Sequence, residues 1–400
     1  MIIGENIMRV KMGNSDLIKR INITNIIEIL KLQGVKSRAE LANLTGLTPA
    51  SITKLTKKLI DLNLLKESGI GNISGGRPPI LLEINPDYGY IMGINLAPTK
   101  IRGILTDING TILSKKTFDL EDKTKEGILE LLFSLIENLK GVIDNKKILG
   151  IGIAMNGMVD YEKGISIFSP HYKWRNFDLQ GVVEEKFDIP TIIENDVKAM
   201  ALGEHKAGMA IHKDNFVIIN IGEGIGAGII LNNKLYRGDS YSAGEIGHIT
   251  VEKKSGHPCS CGNYGCLEAL IGNKNILKRA KSEIEGTDDK LTIKDICRLA
   301  LNGNPKALEI IDDIAENLGY SLSFLINLLN PKLIILVGDI NFSGELFYKK
   351  LKSKINQYSL KTSTTNLEIL PSKLGDDAGT VGAAILVYEN LFKGRKILKI

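Results

Sequence analysis

From Tyr88 onward the chain runs twice through one order of elements, and that repetition limits the folds open to it. YIMGINLAPTKIRGILTDINGTIL reads as strand, turn, strand, turn, strand, with Asn109-Gly110 as a hairpin turn. A helix, EGILELLFSLIENLKGVI, and a further strand, ILGIGIAMNG, follow. TIIENDVKAMALGEHKAG predicts strand, loop, helix. NFVIINIGEGIGAGIILNNKLY then opens the second round, with Asn232-Asn233 turning its second strand into a third, and PKLIILVGD is a buried strand. Two rounds of strand hairpin and helix imply two similar α/β lobes with a cleft between them.

The first 85 residues have a different character. They carry 12 Lys and Arg against 7 Asp and Glu, which accounts for the whole net charge of +5, since the remainder is balanced. Ile23, Ile26, Ile27 and Leu30 follow the spacing of one buried helix face, which Gly34 ends. Ser37 with Glu40 three positions later forms a capping box for a second helix, RAELANLT, stopped by Gly46. Thr48 caps a third, with Pro49 at its first helical position. On that third helix Ile52, Leu55 and Leu59 face inward and Ser51, Thr53, Lys54, Lys57 and Lys58 outward. LLKESG and RPPILLEI read as two strands around the glycine-rich GNISGG, with Arg77 at the end of this wing. The pattern is a winged helix-turn-helix. Its polar side chains suit base edges, and its lysines and Arg77 suit phosphate. A small helical packing module without nucleic acid is the alternative, and the basic outward face disfavours it.

Three of four cysteines fall within eight residues, Cys259, Cys261 and Cys266, a short distance after His248. Thiolates and imidazole are the usual tetrahedral zinc ligands, and four protein ligands make a closed, structural site. Gly262 and Gly265 allow the loop to aim three sulfurs at one point. Cys297, in KDICRLAL, reads as a core helix residue. No apolar run reaches the roughly 20 residues that span a bilayer, and the N-terminus lacks a secretory signal pattern. The expectation is a cytoplasmic protein that does not bind membrane, with reduced thiols.

The motifs GINLAPTKIRGILTDINGTIL, SPHYKW, ENDVKAMALGE, NIGEGIGAGI, SAGEIGH, CSCGNYGCLE and GDDAGTVGAA together resemble the ROK family of sugar kinases and sugar-responsive repressors. The winged segment ending in SGGRPP resembles its repressor branch. The resemblance implies an actin-like (ribonuclease-H-like) two-lobe α/β fold. The expected domains are 1–85 for DNA binding, 86–200 for the first lobe joined by a C-terminal helix 378–400, and 201–377 for the second lobe with zinc. It also implies a sugar site of Asn195, Asp196, Glu245, His248 and Glu268, with Asp196 at the position of the family's catalytic base. His248 would hold zinc (Zn2+) through one nitrogen and a sugar hydroxyl through the other, alongside Cys259, Cys261 and Cys266.

The nucleotide side departs from the kinase pattern. Asn95-Leu96-Ala97-Pro98 replaces the aspartate and glycines of the first phosphate loop, and Gly222-Glu223-Gly224 replaces Gly-Thr-Gly in the second. Val337-Gly338, followed by Asp339, replaces the paired glycines near the adenosine. Pro98 offers no N–H, and a carboxylate at Glu223 repels phosphate, so positioning and charge are lost where phosphoryl transfer depends on them. The expectation is a repressor, not an enzyme, with Asp196 a relic. It binds a pseudo-palindromic operator as a homodimer or tetramer and answers to a monosaccharide, xylose or another. The alternatives are a sugar kinase that retains a DNA-binding module and a binding protein governed by a protein partner.

Overall fold

The computed structural model describes residues 15–70, 78–144, 146–254 and 256–392. The first helix, Ser15–Gln33, begins ahead of the ITNIIEIL segment and buries Ile23, Ile26, Ile27 and Leu30. Gly34, at φ +71°, turns the chain out of it. At Ser37 the hydroxyl accepts from the Glu40 N–H and the Glu40 carboxylate accepts from the Ser37 N–H, completing the capping box of helix Arg38–Thr45. Thr48 caps Pro49–Asp61, whose Ile52, Leu55 and Leu59 are buried.

Strands Leu65–Ile70 and Ile80–Ile84 pair antiparallel beside a two-residue strand, Lys36–Ser37, that the sequence pattern did not signal. The second wing strand starts at Ile80 and not at Arg77, because Pro78 and Pro79 have no N–H to give the ladder. Arg77 itself lies outside the described residues.

Two five-stranded sheets form the body, and their orders coincide. In the first, Tyr90–Ala97, Lys100–Asp107 and Ile112–Asp119 run antiparallel, and Ile148–Met155 and Thr191–Asn195 extend the other edge in parallel. In the second, Phe216–Ile221, Ile225–Leu231 and Lys234–Tyr236 are antiparallel, with Leu333–Val337 and Glu368–Pro371 parallel beyond them. This duplicated order is the actin-like architecture. Asn232 and Asn233, at φ +50° and +61°, form the expected turn.

The sequence pattern predicted a loop between TIIEN and the following helix, and there is none. Asn195 is both the last strand residue and the cap of helix Asp196–Ala207. Its side chain supplies the missing acceptor by taking the Lys198 N–H at 3.0 Å. A third sheet, Met158–Asp160, Ile165–Ser169 and Trp174–Phe177, carries SPHYKW in its last hairpin.

Two helices lie between the large sheets, Asp196–Ala207 and Ala378–Phe392. Their backbones touch. A Cβ on Gly382 would stand 1.7 Å from the Ala199 carbonyl oxygen, and one on Gly93 would stand 2.1 Å from that of Thr380. The second sheet is backed by further helices, including Pro305–Leu329, around a core of Ile, Leu and Ala that includes Cys297 in helix Ile293–Leu301. The winged module is not a separate bead. Ile23, Ile26, Ile27 and Leu30 share one apolar cluster with Ile91, Ile104, Leu149, Val387 and Leu391 of the body.

Candidate functional site

The strand-to-helix junction at Asn195 sets the centre of the site. The Asn195 side-chain amide donates to the Gly157 carbonyl at 3.0 Å and to Asp196 Oδ1 at 3.1 Å. The same carboxylate oxygen accepts the Val197 N–H at 2.9 Å. Asp196 is only 7% exposed, and burial, reinforced by the neighbouring Glu245 carboxylate, pushes its pKa up to about 6. Lys198, two residues further along the helix, donates its ammonium to the Tyr241 carbonyl at 2.5 Å and so anchors the loop that leads to Glu245.

Buried polar atoms without partners occur on this side of the body, Tyr172 near Asp196 and Asn156 near Gly224. Among the described residues, Tyr172 Oη and Asn156 Oδ1 are buried and make no hydrogen bond. Each such atom costs about 1–3 kcal/mol unless something pairs with it. Burial and the Asp196 charge push the Tyr172 phenol well above its usual range. His171, half-buried, lies within reach of the charges on Glu223 and Glu268, and burial lowers its pKa. Sequence reasoning assigned no role to Asn156, His171 or Tyr172. The signal was present in SPHYKW, but nothing in the pattern shows that this hairpin folds back over Asp196.

Glu245 immediately precedes a short 3-10 turn, Ile246–His248, and burial raises its carboxyl pKa. His248 faces both ways, with Nε2 at 3.9 Å from Glu245 Oε2 and Nδ1 at 3.5 Å from Cys259 Sγ. Cys261 and Cys266 sulfurs are 3.8 Å apart. The four donor atoms of His248, Cys259, Cys261 and Cys266 lie within 4.8 Å of one another. A tetrahedron with metal–sulfur bonds of about 2.3 Å has edges of roughly 3.8 Å, so this set can hold a metal ion. Gly262 and Gly265 both take positive φ, +96° and +69°.

Glu268 stands two residues after the last cysteine, in the first turn of helix Leu267–Ile271. Its Oε2 accepts the Ile225 N–H at 3.1 Å and its Oε1 accepts the Ser260 hydroxyl at 3.0 Å, tying the cysteine loop to the 222–225 turn. Both its oxygens thus already serve the protein.

On the winged module, Ser51, Thr53, Lys54 and Lys57 are exposed on one face of Pro49–Asp61, whereas Lys58 is half-buried. Thr53 donates its hydroxyl to the Pro49 carbonyl at 2.8 Å, and the Ser51 hydroxyl accepts from Thr48.

A protein-family model, "ROK family", matches residues 91–390. The chain belongs to the ROK family. A xylose repressor from Caldicellulosiruptor bescii is 35% identical over 393 residues, 95% of this chain and 98% of that one. Among solved structures, a ROK family transcriptional regulator, homolog of E. coli MLC protein, matches with a TM-score of 0.83 and 31% identity over 94% of this chain and 97% of its own. A ROK family glucokinase from Streptomyces griseus, in complex with glucose and AMPPNP, matches with 0.67 and 29% over 74% of this chain and 99% of its own. The glucokinase thus leaves about a quarter of this chain without a counterpart, whereas the regulator spans nearly all of it.

The turns that differ in sequence from the kinase phosphate loops make contacts within the chain. Asn95 is buried against Gly379, at the start of the C-terminal helix. The Gly222 N–H donates to the Gly224 carbonyl at 3.1 Å, so it serves the loop itself, and Glu223 is exposed. Asp339 pairs with Lys294 at 3.6 Å, and Asp376 with Arg102 at 2.9 Å. Among the described residues no helix is long and apolar enough to cross a membrane.

Proposed function

We propose that this chain is a sugar-responsive transcriptional repressor that binds operator DNA through its winged helix-turn-helix and releases it when a monosaccharide enters the site around Asp196. One observation carries this reading: a winged module shares a hydrophobic core with a ROK body that holds unpaired buried polar atoms at the candidate sugar side, Tyr172 Oη near Asp196 and Oδ1 of Asn156, whose side chain lies near Gly224 and Glu268. The same body sets acidic side chains at its phosphate turns. The xylose repressor's name makes D-xylose the first effector to test, and the glucokinase's ligand makes D-glucose the second.

In this reading His248, Cys259, Cys261 and Cys266 hold one structural zinc ion. Zinc supplies cross-linking of a loop that has little core of its own, and it fixes which nitrogen of His248 is left to face Glu245. Asn195, Asp196, Glu245 and His248 meet the sugar hydroxyls, and Glu268 keeps the walls together. Ser51, Thr53, Lys54, Lys57, Lys58 and Arg77 meet the operator, as a homodimer on a pseudo-palindromic site.

A buried carboxyl near pH 6 is also what a general base needs, which favours residual sugar kinase activity as the second reading. A coupled assay with ATP and each of the two sugars separates the readings. The repressor reading expects no turnover. A rate near ~1 per second, the low end for working kinases, overturns it.

A further inference from the structure

Two sets of contacts converge on three successive residues of the C-terminal helix, one from the sugar side and one from the DNA-binding side. On the sugar side, Glu194 precedes Asn195 and is fully buried. Its Oε1 accepts the Asn195 N–H at 2.9 Å, and its Oε2 accepts Arg237 Nε–H at 2.6 Å. Arg237 follows the last hairpin strand of the other sheet, Lys234–Tyr236, so this ion pair joins the two halves of the body. The Arg237 guanidinium also lies over the Tyr161 ring, 4.0 Å from its centre. The Tyr161 hydroxyl in turn accepts from the Asn390 amide at 3.0 Å. One residue earlier on that helix, Glu389 pairs at 3.9 Å with Lys206, which lies on the helix that Asp196 opens.

From the DNA-binding side, Lys31 lies near the end of helix Ser15–Gln33 and holds its ammonium 3.3 Å from the centre of the Tyr388 ring. Around it, Ile27 and Leu30 share an apolar cluster with Val387, Tyr388 and Leu391. Residues 388, 389 and 390 therefore receive the first helix of the winged module, the Asp196 helix and, through Tyr161, the inter-sheet arginine in turn.

The packing lets such a junction transmit movement. Helices Asp196–Ala207 and Ala378–Phe392 touch backbone to backbone at Ala199 and Gly382, which leaves no room to slide. A rotation of one half of the body against the other has to break or re-form the Arg237 contacts with Glu194 and Tyr161, because Arg237 belongs to one half and its partners to the other. Closely packed interiors switch between discrete arrangements and do not deform continuously.

We propose that residues 388–390 are the junction through which sugar occupancy reaches the DNA-binding domain, with Tyr161 and Lys31 as positioning residues on its two sides. This inference rests on the repressor reading above. Tyr161 meets Arg237 and Asn390, and Lys31 meets Tyr388; neither is among the residues assigned to the sugar site or to the outward face of Pro49–Asp61, so the altered atoms are not proposed ligand contacts.

The test uses the full-length chain, the DNA upstream of its own gene, and whichever of D-xylose, D-glucose and N-acetyl-D-glucosamine raises the wild-type melting midpoint most. The quantity is the factor by which that sugar weakens operator affinity. Tyr161→Phe removes one hydroxyl, and Lys31→Met removes one charge while keeping the stem. Each variant is expected to keep its sugar affinity and its sugar-free operator affinity within about twofold of wild type. Its coupling factor should fall at least about fivefold, the lower bound of ordinary allosteric couplings. The double variant should lose little more than the worse single, because both lie on one route.

An unchanged coupling factor in either single variant overturns the junction. If no sugar weakens operator binding by the wild type, the repressor reading fails and takes the junction with it, which is a different result. Should Lys31→Met fold poorly, hydrogen exchange of the wild type decides instead. Sugar must alter protection in both 23–33 and 386–392, and unchanged protection in either segment overturns the proposal.

Discussion

His248 Nδ1 lies 3.5 Å from the Cys259 sulfur, while the other nitrogen of the same ring faces Glu245 at 3.9 Å. One imidazole thus joins the cysteine cluster to the carboxylate beside Asp196, and anything that fixes the ring on its sulfur side also fixes the nitrogen offered to a ligand. Metal analysis of the purified protein should find about one equivalent of zinc per chain. Cys261→Ser should lose the metal and the sugar response together. A metal-free protein that binds sugar with unchanged affinity contradicts the bracing role.

Asp196 should make the protein less stable so that it can bind. Burial raises its folded pKa to about 6, above an unfolded value near 3.8. Between those values the folded state holds more protons than the unfolded, so stability falls as pH rises through that window and stays lower above it. Asp196→Asn removes the penalty. The variant should be more stable than wild type by about 1–3 kcal/mol at pH 7.5 and nearly equal to it at pH 4. Its sugar affinity should fall, because an amide accepts weaker hydrogen bonds than a carboxylate. Denaturant unfolding at the two pH values and a sugar titration check both signs. A variant no more stable at pH 7.5 places the carboxyl in a wetter site than this one.

Lys57 is exposed on the outward face of Pro49–Asp61, where it suits phosphate. Lys57→Ala should weaken binding to all DNA sequences alike and reduce the slope of log affinity against log salt by roughly one. Arg77→Ala should also weaken operator binding. An unaltered slope for Lys57→Ala means that this lysine meets no phosphate. Point changes are better tools here than removal of residues 1–85, which would uncover Ile91, Ile104 and Leu149.

The contact between the two central helices gives a purely structural prediction. Gly382→Ala places a methyl group 1.7 Å from the Ala199 carbonyl oxygen, so backbone must move. Such overpacking costs about 1–3 kcal/mol or more, and the thermal midpoint should drop by several degrees. A midpoint within a degree of wild type means that the helices can part easily, and the rigid link between them fails.

The sequence made local features legible because their signals are local. The Ser37–Glu40 capping box, the Thr48-Pro49 helix start, the Asn232-Asn233 turn and the strand hairpins that open both rounds depend on residues a few positions apart. The cysteine spacing identified a metal-type cluster for the same reason. Other features depend on distant partners. Tyr172 reaches the site only because a hairpin of a small extra sheet folds toward Asp196, and Asn156 only because the strand Ile148–Met155 ends there; no periodicity reports either. The loop expected after TIIEN failed because Asn195 serves the strand and the helix cap at once. The fusion of the winged module with the body was likewise hidden, since Leu30 and Val387 are far apart in sequence and look like ordinary core residues in either place.

The central claim is that a sugar, without a nucleotide, releases this protein from DNA. Fluorescence anisotropy of a labelled operator fragment, titrated with the full-length protein with and without D-xylose, D-glucose and N-acetyl-D-glucosamine and with no ATP present, tests it directly. At least one of these sugars should weaken operator affinity by about tenfold or more, within the range of ordinary allosteric coupling. Operator affinity unchanged by a sugar that demonstrably binds the protein would contradict the account.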